Sequence, residues 1–109
     1  MTTPDPTRDD LAYALYASFQ RGAGIYAQGE PYPLKAWADL PDHHRERYRR
    51  RADRFRARAH IRPLAERLYE AWWDELYTKP FDRISDGLRA LWWRVAEEYA
   101  AVTAEDQAA

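Results

Sequence analysis

The sequence contains no cysteine among its 109 residues, so neither a disulfide nor a thiolate metal site can form. Its apolar runs are only a few residues long, far short of the roughly 20 that a membrane-spanning helix needs. Residues 1–10 also lack the basic start and the apolar stretch of a secretory signal. From these absences we expect a cytoplasmic protein that makes no contact with a membrane.

No combination of residues in the sequence is typical of a catalytic or metal site. The adjacent His43 and His44 would point about 100° apart on a helix, so they could not easily bind one ion, and His60 is distant in sequence. Ser18 and Ser85 have no neighbouring histidine base, and there is no glycine-rich phosphate-binding loop. We therefore predict a protein that is not an enzyme and that uses neither a metal nor a cofactor.

Aromatic and arginine side chains, by contrast, are abundant. Hydrophobic residues make up 46% of the chain and aromatic residues 15%, which is enough for the core of a single domain spanning residues 1–109. The arginines are concentrated in residues 43–67, which carry a charge of +7 between flanks of −3 and −5. Because these flanks can neutralise the basic band within one domain, the charge alone gives only weak support for a polyanionic partner.

The most informative pattern is an internal repeat, in which Trp37–Phe55 recurs 44 residues later as Phe81–Tyr99. Upstream, residues 15–19 match residues 68–72 at an offset of 53, so the first copy has nine extra residues. We predict an all-α fold of four helices, arranged as two tandem helix-loop-helix repeats with frayed termini. The repeats span about 7–60 and 63–103. The matched positions are Trp37/Phe81, Leu40/Ile84, Asp42/Asp86, Arg45/Arg89, Tyr48/Trp92, Arg50/Arg94, Ala52/Ala96 and Phe55/Tyr99.

Helical periodicity and capping residues predict where the four helices lie. Thr7 and Ser85 are predicted N-caps, and Pro63 is favoured in the first turn of the third helix. The predicted helices span about 7–21, 40–60, 63–77 and 85–103. Between the first two, Gly22–Pro33 contains three glycines and two prolines, which predict a loop longer than its counterpart in the second copy.

A loop that only one copy carries is a common place for a binding function, because the shared scaffold does not need it. Tyr26 and Tyr32 in this loop could stack on a planar ligand, and Arg45 and Arg49 could bind its anionic groups. These four residues form an alternative predicted site, for a nucleotide-derived small ligand. The opposing interpretation is an ordinary loop packed against the core.

The two copies differ most where the first is charged and the second is apolar. The differing pairs are Arg47/Leu91, Arg49/Trp93, Arg51/Val95, Arg58/Val102 and Gln20/Trp73. In so short a chain we expect Leu91, Val95 and Val102 to be buried. Trp73 and Trp93 are equally compatible with burial and with a surface that a partner covers.

We predict a non-enzymatic binding protein that acts through protein–protein contact, either with another protein or as a homodimer. The predicted partner-binding residues are Trp73, Trp93, Arg47, Arg51, Arg54 and Arg58. The opposing interpretation of the arginine rows is a solvated face that pairs with acidic side chains. Nucleic-acid binding through the same rows is the third predicted function, and the pI of about 6.3 disfavours it.

Trp37, Leu40, Arg47, Tyr48 and Ala52 form a pattern that resembles many small phage and actinobacterial proteins of unassigned function. The chain also resembles the ryanodine-receptor-type repeat, in which a helix, a loop with glycine and aromatic residues, and a Leu-Pro helix start follow one another. The corresponding stretches here are Tyr16–Phe19, Gly24–Gly29 and Pro33–Pro41. The resemblance implies recognition of a nucleotide, another small ligand or a protein, and no catalysis. A phage-encoded modulator acting in the host cytoplasm would fit the size of the chain.

Overall fold

Four α-helices form the fold in the computed structural model, which describes residues 7–72 and 79–108, with side chains to residue 104. The helices are α1 (Arg8–Gln28), α2 (Asp42–Ala57), α3 (Leu64–Trp72) and α4 (Asp86–Ala108). Short 3-10 helices, Trp37–Asp39 and Phe81–Arg83, precede α2 and α4. Every secondary-structure element in the described ranges is therefore helical, and the predicted all-α class is confirmed.

The capping residues act as the sequence predicts. The Thr7 hydroxyl accepts a hydrogen bond of 3.0 Å from the N–H of Asp10 in the first turn of α1. The Ser85 hydroxyl accepts one of 3.2 Å from the N–H of Leu88 and so caps α4. Helix α4 continues to Ala108, five residues beyond its predicted end.

The first helix is longer than predicted, so the loop prediction for Gly22–Pro33 is wrong for residues 22–28. Helix α1 ends only at Gln28. Gly29 follows in the left-handed conformation, with φ of 83°, and its N–H donates to the carbonyl of Ile25 at 2.9 Å. The glycine that ends the helix is therefore the third of the three, and the first two lie inside the helix.

Gly22 and Gly24 lie where other parts of the chain approach α1 closely. A Cβ on Gly22 would lie 2.7 Å from the Cα of Val95 in α4, and one on Gly24 would lie 2.3 Å from the backbone nitrogen of Tyr32. Both distances are too short for a side chain of any size. These two glycines therefore allow close packing between segments, and they do not form a turn. The sequence of one segment does not reveal this role, because the neighbouring backbone comes from elsewhere in the chain.

Residues 30–36, called the strap from here on, run back along α1. The Tyr32 N–H donates to the Gln20 carbonyl at 3.1 Å, and the Lys35 N–H donates to the Tyr16 hydroxyl at 3.0 Å. The strap therefore runs antiparallel to α1. It covers Tyr16, which is buried.

The helices pack as a ring in which α1 contacts α2 and α4, and α3 contacts the same two helices. Helices α1 and α4 are antiparallel, because Gly22 approaches Val95 while Tyr26 approaches Gly87 near the start of α4. In this ring α2 and α4 are on opposite sides of the bundle. Surfaces on their outer faces are therefore separate from each other.

The core centres on an aromatic cluster with one member from each helix. Trp72 of α3 stacks on Phe19 of α1 with ring centroids 4.8 Å apart. It meets Tyr48 of α2 and Trp92 of α4 edge to face, at 5.6 and 5.3 Å. All four helices thus meet at one buried indole.

The apolar side of α4 matches the prediction only in part. Val95 is completely buried, whereas Leu91 and Val102 are half-buried. Leu88, another apolar residue of α4, is 49% exposed and lies in the first turn of the helix.

Replacing Trp72 by alanine should remove the contact that joins the four helices. We expect the free energy of unfolding to fall by about 3–5 kcal/mol, as for other large buried aromatic residues. Chemical denaturation measures this loss. The control is Trp93→Ala, at a site that is 52% exposed, where a change below about 1 kcal/mol is expected. Equal losses in the two variants would contradict the central position of Trp72.

Gly24→Ala should place a methyl group against the backbone of the strap. We expect a loss of about 1–3 kcal/mol in the free energy of unfolding, because a backbone neighbour cannot rotate away. The matched control is Gly87→Ala, whose Cβ would meet only the Tyr26 hydroxyl at 3.0 Å, at the tip of an exposed side chain. Thermal unfolding of both variants checks this, and a Gly24→Ala protein as stable as Gly87→Ala would show that the strap does not lie there.

Candidate functional site

The arginines of α2 do not form uniform rows on the surface. The Arg49 Nε donates to the Asp9 carboxylate at 2.6 Å, and its guanidinium lies 5.6 Å from the centre of the Trp37 ring. The indole N–H of Trp37 also donates to Asp9, at 3.4 Å. Arg49 therefore joins α2 to the first turn of α1 and to the 3-10 helix between them.

The pKa of Asp9 lies below its ordinary value of 3.8 because of this contact. The hydrogen bond from Arg49 is the largest cause, and the charge of Arg49 and the hydrogen bond from Trp37 act in the same direction, while burial opposes them. Asp9 thus stays ionised in the folded protein at pH values where an unfolded chain would protonate it.

Three of the four predicted partner-binding arginines have intramolecular contacts along α2 and α3. The Arg51 guanidinium lies 4.3 Å from the centre of the Trp72 ring and 4.8 Å from that of Tyr48, and burial lowers its pKa. The Arg54 Nε donates to the Ala71 carbonyl at 2.9 Å. The Arg58 Nη1 donates to the carbonyl of Arg54 at 3.3 Å. These guanidinium groups contribute to the packing of α2.

Arg47, the fourth of these arginines, is exposed and differs from the rest. Within residues 7–72 and 79–108, its side chain makes no ion pair or hydrogen bond, and the same holds for the side chain of Lys35 in the strap. Both cations are near His44, whose pKa is lowered by burial first and then by the charges of His43, Arg47 and Lys35. Positive charge is therefore concentrated around His44.

A pocket of about 330 Å³ lies between α1, the strap and the start of α2. Its cationic and imidazole groups are those of Lys35, His44 and Arg47, and the described residues that line it include no carboxylate. The other lining residues are Tyr16, Gln20, Pro33, Leu40, Pro41 and Tyr48. Sequence reasoning missed Lys35 and His44, because the strap has no counterpart in the second copy and the sequence does not show that it folds back.

A larger groove of about 810 Å³ lies on the other side of the strap, next to the last turns of α4. Its charged groups have mixed sign, with Asp9 and Asp10 on one side and Arg21 on the other. Asp9 is already bound to Arg49. The groove therefore carries less positive charge than the pocket at His44.

The structure does not bring Tyr26, Tyr32, Arg45 and Arg49 into one site. Tyr26 is in the last turns of α1, whereas Arg49 binds Asp9 in the first turn, and 17 residues of helix separate these positions by about 25 Å. Arg45 pairs with Asp42 in its own helix. The predicted ligand site therefore does not form as one cluster.

Trp93 and Trp73 were the predicted aromatic anchors of an interface. Trp93 is 52% exposed on α4, with the exposed Ala90 and Glu97 one turn away on either side. Trp73 lies outside the residues that the structure describes. The Trp93 indole is therefore on the surface of the bundle.

Comparison of the chain with protein-family models, with curated proteins and with solved structures finds no match. The resemblances to phage proteins and to the ryanodine-receptor-type repeat therefore stay predictions. Within the described ranges, no helix has the length and apolar character needed to cross a membrane. In the same residues, no three His, Cys, Asp or Glu side chains group closely enough to hold a metal ion.

Asp9→Asn should lower stability in a way that depends on pH. The folded-state pKa of Asp9 is depressed, so its contribution is present above the ordinary value of 3.8 and is lost as the pH falls through the folded value. We expect the difference in Tm between wild type and variant to be largest near pH 7 and to shrink progressively below about pH 4. Thermal melts at pH 7, 5, 4 and 3 measure it, and a difference that stays constant down to pH 3 would contradict the Asp9–Arg49 ion pair.

Proposed function

We propose that this chain is a non-enzymatic binding protein that acts by contacting a protein partner, and that Trp93 is at the centre of the contact. The observation that carries this proposal is the half-exposed indole of Trp93, since Trp72 and Trp92 already fill the core. Tryptophan is among the residues most enriched at the energetic centres of protein interfaces.

The surroundings of Trp93 suit an anchor that enters a pocket on a partner. Ala90, one turn before Trp93, is exposed and presents only a methyl group beside the indole. Covering the exposed half of an indole would remove about 100 Å² from water and contribute about 2–3 kcal/mol. Binding to a partner with an apolar pocket would therefore be stabilised by this burial.

The arginines of α2 are not part of this contact. Trp93 is on α4, on the opposite side of the ring of helices from α2. Arg51, Arg54 and Arg58 are engaged in packing, as described above. Trp93 and the predicted arginines of α2 therefore lie on separate surfaces, and the proposal rests on the one at Trp93.

Trp93→Ala should reduce capture of the partner by the tagged protein at least tenfold, because a central interface tryptophan contributes about 2 kcal/mol or more. The matched control is Leu88→Ala, which removes a side chain of similar exposure, 49%, from the same helix. Quantitative affinity capture from lysate compares both variants with wild type.

Equal capture by wild type and Trp93→Ala would contradict the proposal, and so would equal losses in the two variants. Sedimentation velocity of the purified protein supplies a second comparison. A dimer that dissociates in Trp93→Ala and persists in Leu88→Ala would identify a second copy of this chain as the partner.

A further inference from the structure

We propose that the pocket between the strap and α2 binds a small organic phosphate, whose phosphate group lies between Lys35 and Arg47. This inference is independent of the contact at Trp93, because none of the residues that line the pocket lies on α4. It concerns residues for which the packing of the fold offers no explanation.

Elimination of the other arginines of α2 is the first argument. Arg45 and Arg49 bind Asp42 and Asp9, and Arg50 lies 3.6 Å from Glu46. Arg51 lies between aromatic rings, and Arg54 and Arg58 donate to backbone carbonyls. Arg56 also has an interaction partner. Against this background, Arg47 is a long cation with no described ion pair or hydrogen bond, and it faces a pocket that contains a second such cation, Lys35.

The position of Lys35 is fixed by the backbone on both sides of its side chain. Its N–H donates to the Tyr16 hydroxyl at 3.0 Å, and its carbonyl accepts a hydrogen bond of 3.4 Å from the Tyr13 hydroxyl. Two tyrosines of α1 thus hold the backbone from which the lysine extends. Bringing cations together costs electrostatic energy, and an anion between them recovers it.

The first N–H groups of α2 lie beside the pocket, and Asp42 in the same turn pairs with Arg45. Pro41 precedes the helix and supplies no side-chain acceptor for its first N–H groups, whereas Thr7 and Ser85 cap α1 and α4. The positive end of the helix dipole is therefore adjacent to the pocket, which Pro41 and His44 both line. This effect supports the cationic side chains and would not define a site without them.

The size and the walls of the pocket point to a phosphate that carries an organic group. Two cations match the charge of a phosphomonoester, close to −2 at neutral pH. Leu40, Pro33 and the Tyr48 ring form less polar walls. The volume of about 330 Å³ is at the small end of the usual range for ligand sites of about 300–1,000 Å³, and it exceeds what phosphate alone would fill.

Titration of the full chain at constant ionic strength tests this proposal, with inorganic phosphate, phenyl phosphate and phenylacetate as probes. Two-dimensional NMR follows the amide signals of Lys35, His44 and Arg47. We expect saturable shifts at these residues, tighter binding of phenyl phosphate than of inorganic phosphate, and weaker binding of phenylacetate.

The pocket variant is Lys35→Gln/Arg47→Gln, and the charge-matched control is Arg62→Gln/Arg83→Gln, which removes two exposed arginines outside the pocket. The affinity for phenyl phosphate should fall at least tenfold in the pocket variant and change less than twofold in the control. The described contacts of the Lys35 and Arg47 side chains include no hydrogen bond, so both variants should retain the wild-type circular dichroism spectrum.

Three outcomes would overturn the proposal. Wild type could show no saturable shift with either phosphate, the two double variants could lose affinity equally, or phenylacetate could bind as tightly as phenyl phosphate. The wild-type titration requires no substitution, so misfolding of a variant does not leave the question open. Trp93→Ala should bind phenyl phosphate normally, which separates this site from the proposed protein contact.

Discussion

The packing of the Trp72 indole against a side chain from each of the other helices is the interaction on which the rest of the structure depends. Phe19 stacks on one side of it, and Tyr48 and Trp92 meet it with ring edges. Packing of this kind, more than intrinsic helix propensity, supplies most of the stability of helices in proteins. Arg51 extends the cluster outward by lying over Trp72 and Tyr48.

This cluster also determines which charges of α2 are available for function. Because α2 packs with Tyr48 and Phe55 inward, the arginines beside them reach either α3 or α1. Stacking, backbone carbonyls and Asp9 satisfy most of these guanidinium groups. A helix that carries many positive charges in the sequence thus leaves few of them free in the fold, and Arg47 is one of those few.

Local structure could be predicted from the sequence because it depends on neighbouring residues. The N-caps Thr7 and Ser85 are examples, and so are the two stretches that the repeat aligns. Asp42 pairs with Arg45 as Asp86 pairs with Arg89, and a 3-10 helix precedes each pair. The arginine Nη1 atoms donate to the equivalent carbonyls of Ala38 and Asp82. Whether the two halves are arranged as tandem repeats stays a prediction.

Features that depend on distant segments could not be predicted in the same way. Gly22 and Gly24 resemble helix breakers until Val95 and the strap are in place beside them. The role of Arg51 requires knowledge that Trp72 lies next to it. The pocket at His44 needs a strap that folds back along α1, and no local pattern in residues 30–36 reports that path. The insertion predicted Tyr26 and Tyr32 as ligand residues, whereas the pocket beside the strap is lined by Lys35 and His44.

The division of the arginines is the central claim of this account, and exchange of their side-chain Nε–H protons with water measures it most directly. The Nε–H groups of Arg49 and Arg54 donate to Asp9 and to the Ala71 carbonyl, so NMR should show slowed exchange for both. Arg47 should exchange as fast as an arginine in an unstructured peptide. Exchange at Arg47 as slow as at Arg49, or fast exchange at all three, would contradict the account.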